Sequence, residues 1–283
     1  MVDRSTPVIF LSGAGGGAPD LDVFRDGIDD TTHFEVIGYP GWRRYVADDF
    51  SAEALIADLA TQIVAKVPHG PIRIIGLSIG GHFGYAVGLH LQATGREIAS
   101  LCAIDSFMIT SAAPSSGWKS RAIEQGFELL RERRIGEFGR FLRSKFWRAL
   151  VRLAGGRLPS LIQKLSASSG RLPSVSTFDP VFEEELSMRL LVRETALWIG
   201  SLDRNPVALR ASTILLRTRL TAGDDEAWRR RCPNIAIVEI PGQHHTLFEP
   251  DNVGSLHKAF IAATGDWRGG LSHMPLSPRF HER

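Results

Sequence analysis

A chain of 283 residues, 43% of them hydrophobic, can bury a sizeable core in one large α/β domain or two small ones, and its pattern favours one domain with an insertion. The formal net charge of +2 gives no general electrostatic reason to expect nucleic acid or membrane partners. Two cysteines, Cys102 in an apolar run and Cys232 beside Pro233, have the spacing of neither a metal site nor a disulfide framework, which suits a reducing, cytoplasmic compartment.

The apolar stretch near the amino terminus is too short for a signal peptide. Residues 7–11 read as a buried strand that ends in Ser12-Gly13-Ala14-Gly15-Gly16-Gly17, and residues 34–39 as a second that ends at Pro40-Gly41. The glycine phrase does not match a dinucleotide fingerprint, because Ala18 takes its last position and Gly38-Tyr39-Pro40 stands where an acid is required. A helix is predicted from Ser51, an N-cap residue with Glu53 in the first turn, to about Val67 before Pro68-His69-Gly70.

Residues 72–75 form the next strand, and it runs into Gly76-x-Ser78-x-Gly80. That pattern resembles a nucleophile elbow, a sharp strand-to-helix turn whose flanking glycines leave room for a strained apex residue, and the alternative is an ordinary glycine-rich strand-to-helix turn. A helix over 81–93 follows, closed by Thr94-Gly95, with His82 and His90 read as ordinary helix residues. The apolar region around 72–91 is broken by Arg73, His82, His90 and glycines, so strand plus helix explains it better than a membrane span. Strand 98–104 then leads to Asp105.

After Asp105 roughly a hundred residues pass before the next convincing strand, at 213–216. The interval is mostly helical in pattern, divided by Pro159, Pro173 and Pro180, with a last helical stretch over 181–202; it is assigned as a lid insertion at about 111–205. Residues 118–172 carry thirteen Lys or Arg against four Glu. That excess either steers an acidic partner by its field or reflects solvated helix faces with arginine stems packed on core. Trp118, Trp147 and Trp198 are read as lid core, with the wall of an acyl tunnel as the alternative. The last strand, 235–240, runs into Pro241-Gly242-Gln243-His244-His245, and a final helix covers about 252–263. Residues 265–283, rich in Gly, Pro, Arg and His, read as a loose tail.

Ser78, Asp105 and His244 thus follow one another at the carboxyl ends of presumed parallel strands, in the nucleophile, acid, base order of α/β-hydrolases, up to 166 positions apart. The expected architecture is an α/β-hydrolase fold: a mainly parallel sheet flanked by helices, a large helical lid insertion, and a single domain over 1–264. Asp224 and Asp225 follow the next strand and are rival acids; His245 is the rival base. Backbone amides of Ala14 and Ile79 are the candidate oxyanion donors.

The motifs carry a resemblance. Gly-Leu-Ser-Ile-Gly-Gly at 76–81, Leu-Cys-Ala-Ile-Asp-Ser at 101–106, Pro-Gly-Gln-His-His-Thr-Leu-Phe at 241–248 and Gly13-Ala14-Gly15-Gly16 are similar to the type I thioesterase domains that end nonribosomal peptide and polyketide assembly lines. Leu77 and His245 depart from the family's usual neighbours of serine and histidine. The resemblance implies a serine thioesterase that unloads an acyl or peptidyl chain, by hydrolysis or cyclisation, from the phosphopantetheine of a carrier protein, its partner. It implies Asp105 as the acid, and no metal or organic cofactor. A free-standing carboxylesterase or lipase with the same triad is the second reading, and a non-catalytic ligand- or carrier-binding module the third.

Overall fold

The computed structural model describes residues 7–14, 18–28, 33–107 and 180–265, with helical positions 131, 139, 142, 143 and 146 between them. Six strands form one parallel sheet: β1 (Val8–Leu11), β2 (Phe34–Ile37), β3 (Ile72–Leu77), β4 (Ile98–Ile104), β5 (Ser212–Thr218) and β6 (Ile235–Ile240), in the spatial order β2-β1-β3-β4-β5-β6. Among the described residues the continuous helices are α1 (Ala18–Asp26), α2 (Trp42–Tyr45), α3 (Ala52–Lys66), α4 (Ile79–Ala93), α5 (Pro180–Ser201), α6 (Asp225–Arg231) and α7 (Pro250–Ala263).

The strands read as unbroken apolar runs because both sheet faces are covered. Along β3 and β4, Ile72, Ile74, Leu101 and Ala103 pack with Leu59 and Ile63 of α3 and Phe83 and Val87 of α4. Their alternating neighbours Ile75, Leu77, Cys102 and Ile104 turn to the other face, where Phe24 of α1 meets Leu256 and Phe260 of α7. Phe24 and Phe260 stand edge to face at 5.0 Å.

Local signals behave as the sequence predicts. Ser51 is extended, and its Oγ accepts the Ala54 N–H at 3.0 Å, which starts α3. Strand β5 is longer than predicted, Ser212–Thr218, and α4 starts at Ile79, immediately after the elbow serine. Helix α5 matches the predicted 181–202 stretch and packs on the core, with Trp198 beside Phe83 at 6.3 Å. Helices α1, α2 and α6 have no counterpart among the elements predicted from sequence. The last reads Asp-Glu-Ala-Trp-Arg-Arg-Arg, whose buried residues are Trp228 and Arg231, so hydrophobic periodicity could not reveal it. The predicted helical segment 118–153, with Trp118 and Trp147, and the predicted tail after residue 265 lie outside the described residues.

Candidate active site

Ser78 sits at the apex between β3 and α4 with φ 56° and ψ −121°, the strained conformation expected of an elbow. Holding a non-glycine residue there costs about 1–3 kcal/mol, which the surrounding packing must offset. The flanking glycines are sterically required: a Cβ at Gly76 would run into the backbone of Gly80 and Gly81, and one at Gly80 into the Leu11 carbonyl. The chain passes from β1 outward to β2 and returns to β3 on the opposite side, so the strand order reverses between β1 and β3. Ligand crevices of open α/β sheets form at such a switch point. Ser78 leaves β3 there, and the Gly13-Ala14 loop leaves β1 there; a Cβ on Gly13 would stand 3.6 Å from that of Ser78. The loop is fastened by Tyr39, whose hydroxyl donates to the Ser12 carbonyl at 2.6 Å. Ile79 is the first residue of α4, so its N–H belongs to the unpaired donors of a helix N-terminus, where developing negative charge is favoured.

Asp105 and His244 meet. His244 Nδ1 and Asp105 Oδ2 are 2.8 Å apart, with the carboxylate fully buried. The other carboxylate oxygen, Oδ1, accepts from the Thr218 N–H at 2.8 Å and the Thr221 hydroxyl at 3.0 Å. Burial by itself pushes the Asp105 carboxyl up, but the bonds from His244, Thr218 and Thr221 outweigh it and hold the group below the ordinary carboxylate value. The histidine rides on a tight turn after β6: Gly242 has φ 97°, Gln243 N–H donates to Thr246 Oγ at 2.9 Å, and Thr246 N–H returns to Gln243 O at 2.8 Å. Asn252 of α7 donates to the Thr246 carbonyl at 3.0 Å and ties that turn to the helix. His244 is hydrogen-bonded through Nδ1 to Asp105, which leaves Nε2 as the ring nitrogen available to a reacting hydroxyl.

The rivals fall elsewhere. Asp225 takes a bidentate pair from Arg217, at 2.9 and 3.1 Å, and Arg217 also binds Glu239 at 2.6 Å. Asp224 occupies the N-cap position of α6. His245 lies beside His244, ring centroids 5.2 Å apart, while Asp105 bonds His244. Gly15–Gly17 of the predicted oxyanion loop lie outside the described residues. Arg231 and Asp203 were missed by sequence reasoning and His82 was read as an ordinary helix residue; His82 and Arg231 are fully buried and meet, and the partly exposed Asp203 pairs with Arg231. Their only sequence-level signal was a histidine one turn beyond the elbow serine.

Among the described residues no group of three or more His, Cys, Asp or Glu side chains could hold a metal ion, and no helix is long and apolar enough to cross a membrane. The fold is shared with solved thioesterase domains. The NocB thioesterase domain, solved as a covalent complex with a fluorophosphonate nocardicin G analogue, superposes with a TM-score of 0.56 at 20% identity over 93% of this chain and 96% of that one. The Vlm2 thioesterase domain bound with a dodecadepsipeptide gives 0.57 at 14% identity, over 93% and 95%. A four-domain nonribosomal peptide synthetase, AB3403, gives 0.58 at 15% identity, over 93% of this chain and 20% of that much longer one. Comparison with curated proteins gives no match. The family model described as "Thioesterase domain" matches residues 6–264, so the chain belongs to the thioesterase domain family.

Proposed function

We propose that the protein releases an acyl or peptidyl chain from the phosphopantetheine thioester of a carrier protein through an acyl-enzyme on Ser78. The observation that carries this reading is the 2.8 Å contact between Asp105 and His244, beside an elbow serine with φ 56°. His244 takes the proton of Ser78 as its oxygen attacks the thioester carbonyl, and the Ala14 and Ile79 amides donate to the oxyanion. Collapse of the tetrahedral intermediate breaks the carbon–sulfur bond, and His244 returns the proton to the departing thiolate. Water, or an amine or hydroxyl within the acyl chain, then gives a proton to His244 and attacks the ester carbonyl; collapse breaks the bond from that carbon to Ser78 Oγ, and His244 returns the proton to Ser78. Asp105 keeps the imidazole proton on Nδ1 and stabilises the imidazolium. The side chains named suffice for this chemistry, and it calls on no metal or organic cofactor.

The segment between β4 and β5, adjacent strands, is long enough to form a lid over the crevice, and its sequence is basic over 118–172. A basic lid favours an acidic carrier protein bearing a phosphate-containing arm. Intact mass spectrometry after incubation with acyl carrier thioesters tests the reading, alongside steady-state rates on N-acetylcysteamine thioesters and simple aryl esters. The expected result is an acyl adduct on the wild type, none on Ser78→Ala, and preference for the thioester. Preference for aryl esters would point to a general esterase, and neither adduct nor turnover would overturn the enzymatic reading.

A further inference from the structure

Behind the Asp105–His244 pair lies a second polar cluster that this mechanism does not use. His82, on α4 one turn beyond Ser78, is fully buried. Its Nδ1 lies 2.9 Å from Nη1 of Arg231, and its Nε2 3.0 Å from the carbonyl oxygen of Phe107. A guanidinium has no acceptor, so Nδ1 must be the lone-pair nitrogen and Nε2 carries the proton that is donated to Phe107. Arg231 is itself fully buried, ion-paired with Asp203 at 2.7 Å, and it donates to the Ile199 carbonyl at 3.2 Å, both near the end of α5. The His82 ring stacks on Trp228 at 5.4 Å and 22°, and Trp228 Nε1–H donates to the Ser106 carbonyl at 2.8 Å.

Both carbonyls that follow Asp105 are therefore held, one by each of two stacked rings from α4 and α6. That segment needs holding, because Asp105 leaves β4 with φ 45°, a conformation that persists only where the surroundings impose it. Its last residue reaches the reaction centre: the Phe107 ring stands edge to face against His244, 4.7 Å between centroids at 87°. One hydrogen bond to Asp105 fixes a single atom of the imidazole and leaves its plane free to swing. The Phe107 ring, the nearer of the two rings that stand edge-on to it, supplies a further contact on that plane, beside His245 at 5.2 Å. An ion pair with its arginine fully buried is costly where aliphatic residues of the same volume would pack, and here the guanidinium bears on residue 107 through the His82 ring.

We propose that His82, clamped by Arg231 and Asp203, is a positioning residue that sets the plane of His244 through Phe107. The proposal rests on the functional reading of Ser78, Asp105 and His244 given above.

Steady-state kinetics on an acyl thioester test it with His82→Asn, His82→Gln, Phe107→Ala and the double variant His82→Asn/Phe107→Ala. Asparagine can still accept from Arg231 but is too short to reach the Phe107 carbonyl, whereas glutamine extends an N–H to it. The expectation is that His82→Asn lowers kcat about tenfold or more with KM within about twofold. His82→Gln should recover most of that loss. Phe107→Ala should lose as much, and the double variant no more than Phe107→Ala by itself. Proton NMR of the low-field His244 Nδ1–H signal should shift or broaden in His82→Asn and return in His82→Gln. Full kcat in His82→Asn, or losses that multiply in the double variant, overturns the proposal while the catalytic reading stands. If His82→Asn does not fold, Phe107→Ala carries the test, and full kcat there is equally fatal. A wild type without activity, unlabelled at Ser78 by a fluorophosphonate, overturns the catalytic reading and this inference with it.

Discussion

Ser78 donates its amide proton to the carbonyl of Ile104 at 2.8 Å, and Ile104 is the residue before Asp105. Leu77 and Ile104 are register partners on β3 and β4, so Ser78 and Asp105 leave neighbouring strands at one level. Both do so with positive φ, 56° for Ser78 and 45° for Asp105. The Asp105 N–H continues the pattern by donating to Leu216 of β5 at 2.7 Å. Three strand ends in register thus build the floor on which His244 lands.

Replacing the acid separates Asp105 from its rivals. An asparagine at 105 can present an N–H to His244 Nδ1 and impose the wrong tautomer, so Asp105→Asn should lower kcat/KM by about 10³-fold or more. Asp225→Asn removes the Arg217 pair, with a stability loss of about 1–2 kcal/mol and turnover within about twofold of wild type. Thioester kinetics and denaturant titration of both variants make the comparison. The reverse ranking would move the acid to α6.

Tyr39→Phe deletes the hydroxyl that anchors Ser12, the residue before Gly13-Ala14. An oxyanion donor displaced by a fraction of an ångström loses much of its preference for the transition state. The expected result is a fall in kcat of about tenfold with KM little changed, and a stability loss of about 1 kcal/mol. Unaltered kcat would mean that the loop amide plays no part in the reaction.

Ser51→Ala tests the local reading of the chain without touching the site. Loss of the side-chain bond to Ala54 N–H should cost about 1 kcal/mol in unfolding free energy and leave turnover unchanged. Urea titration reads the first and the thioester assay the second.

The buried His82 makes stability depend on pH. Burial, and then the charge of Arg231, lower its pKa from 6.5 to about 3, partly opposed by the Phe107 carbonyl. Arg231 faces it on one side, with Asp203 and the Tyr85 ring beyond the guanidinium. The unfolded chain takes up this proton below pH 6.5 and the native one only near pH 3, so the contribution to stability is complete above 6.5 and lost as pH falls between those values. The loss is roughly 1 kcal/mol per pH unit. His82→Gln removes this term, so the difference in unfolding free energy between wild type and variant should shrink from pH 7 toward pH 4. A difference that does not vary with pH would refute the assignment of a neutral, buried imidazole.

Where residues act on their own backbone, the sequence is legible. Gly76 and Gly80 flank Ser78 because the elbow has no room for a Cβ, and Ser51 marks its helix because its side chain bonds three residues on. The apolar runs of β1, β3 and β4 announce a sheet covered on both faces. Helix α6 escaped notice because it spends its inward positions on Trp228 and Arg231. A buried arginine looks like a surface residue until its partners are known.

By itself, then, the chain's residue order determined the succession of strands and helices, the elbow, and three candidate side chains in a characteristic order, since each of these follows from periodicity or from steric demands within a few residues. Tertiary structure decided which of three aspartates and which of two adjacent histidines meet, through the register of β4, β5 and β6. It also decided the partnership of His82 with Arg231 across 149 positions. Such contacts arise from how helices dock on a sheet, and no local pattern in the chain encodes them.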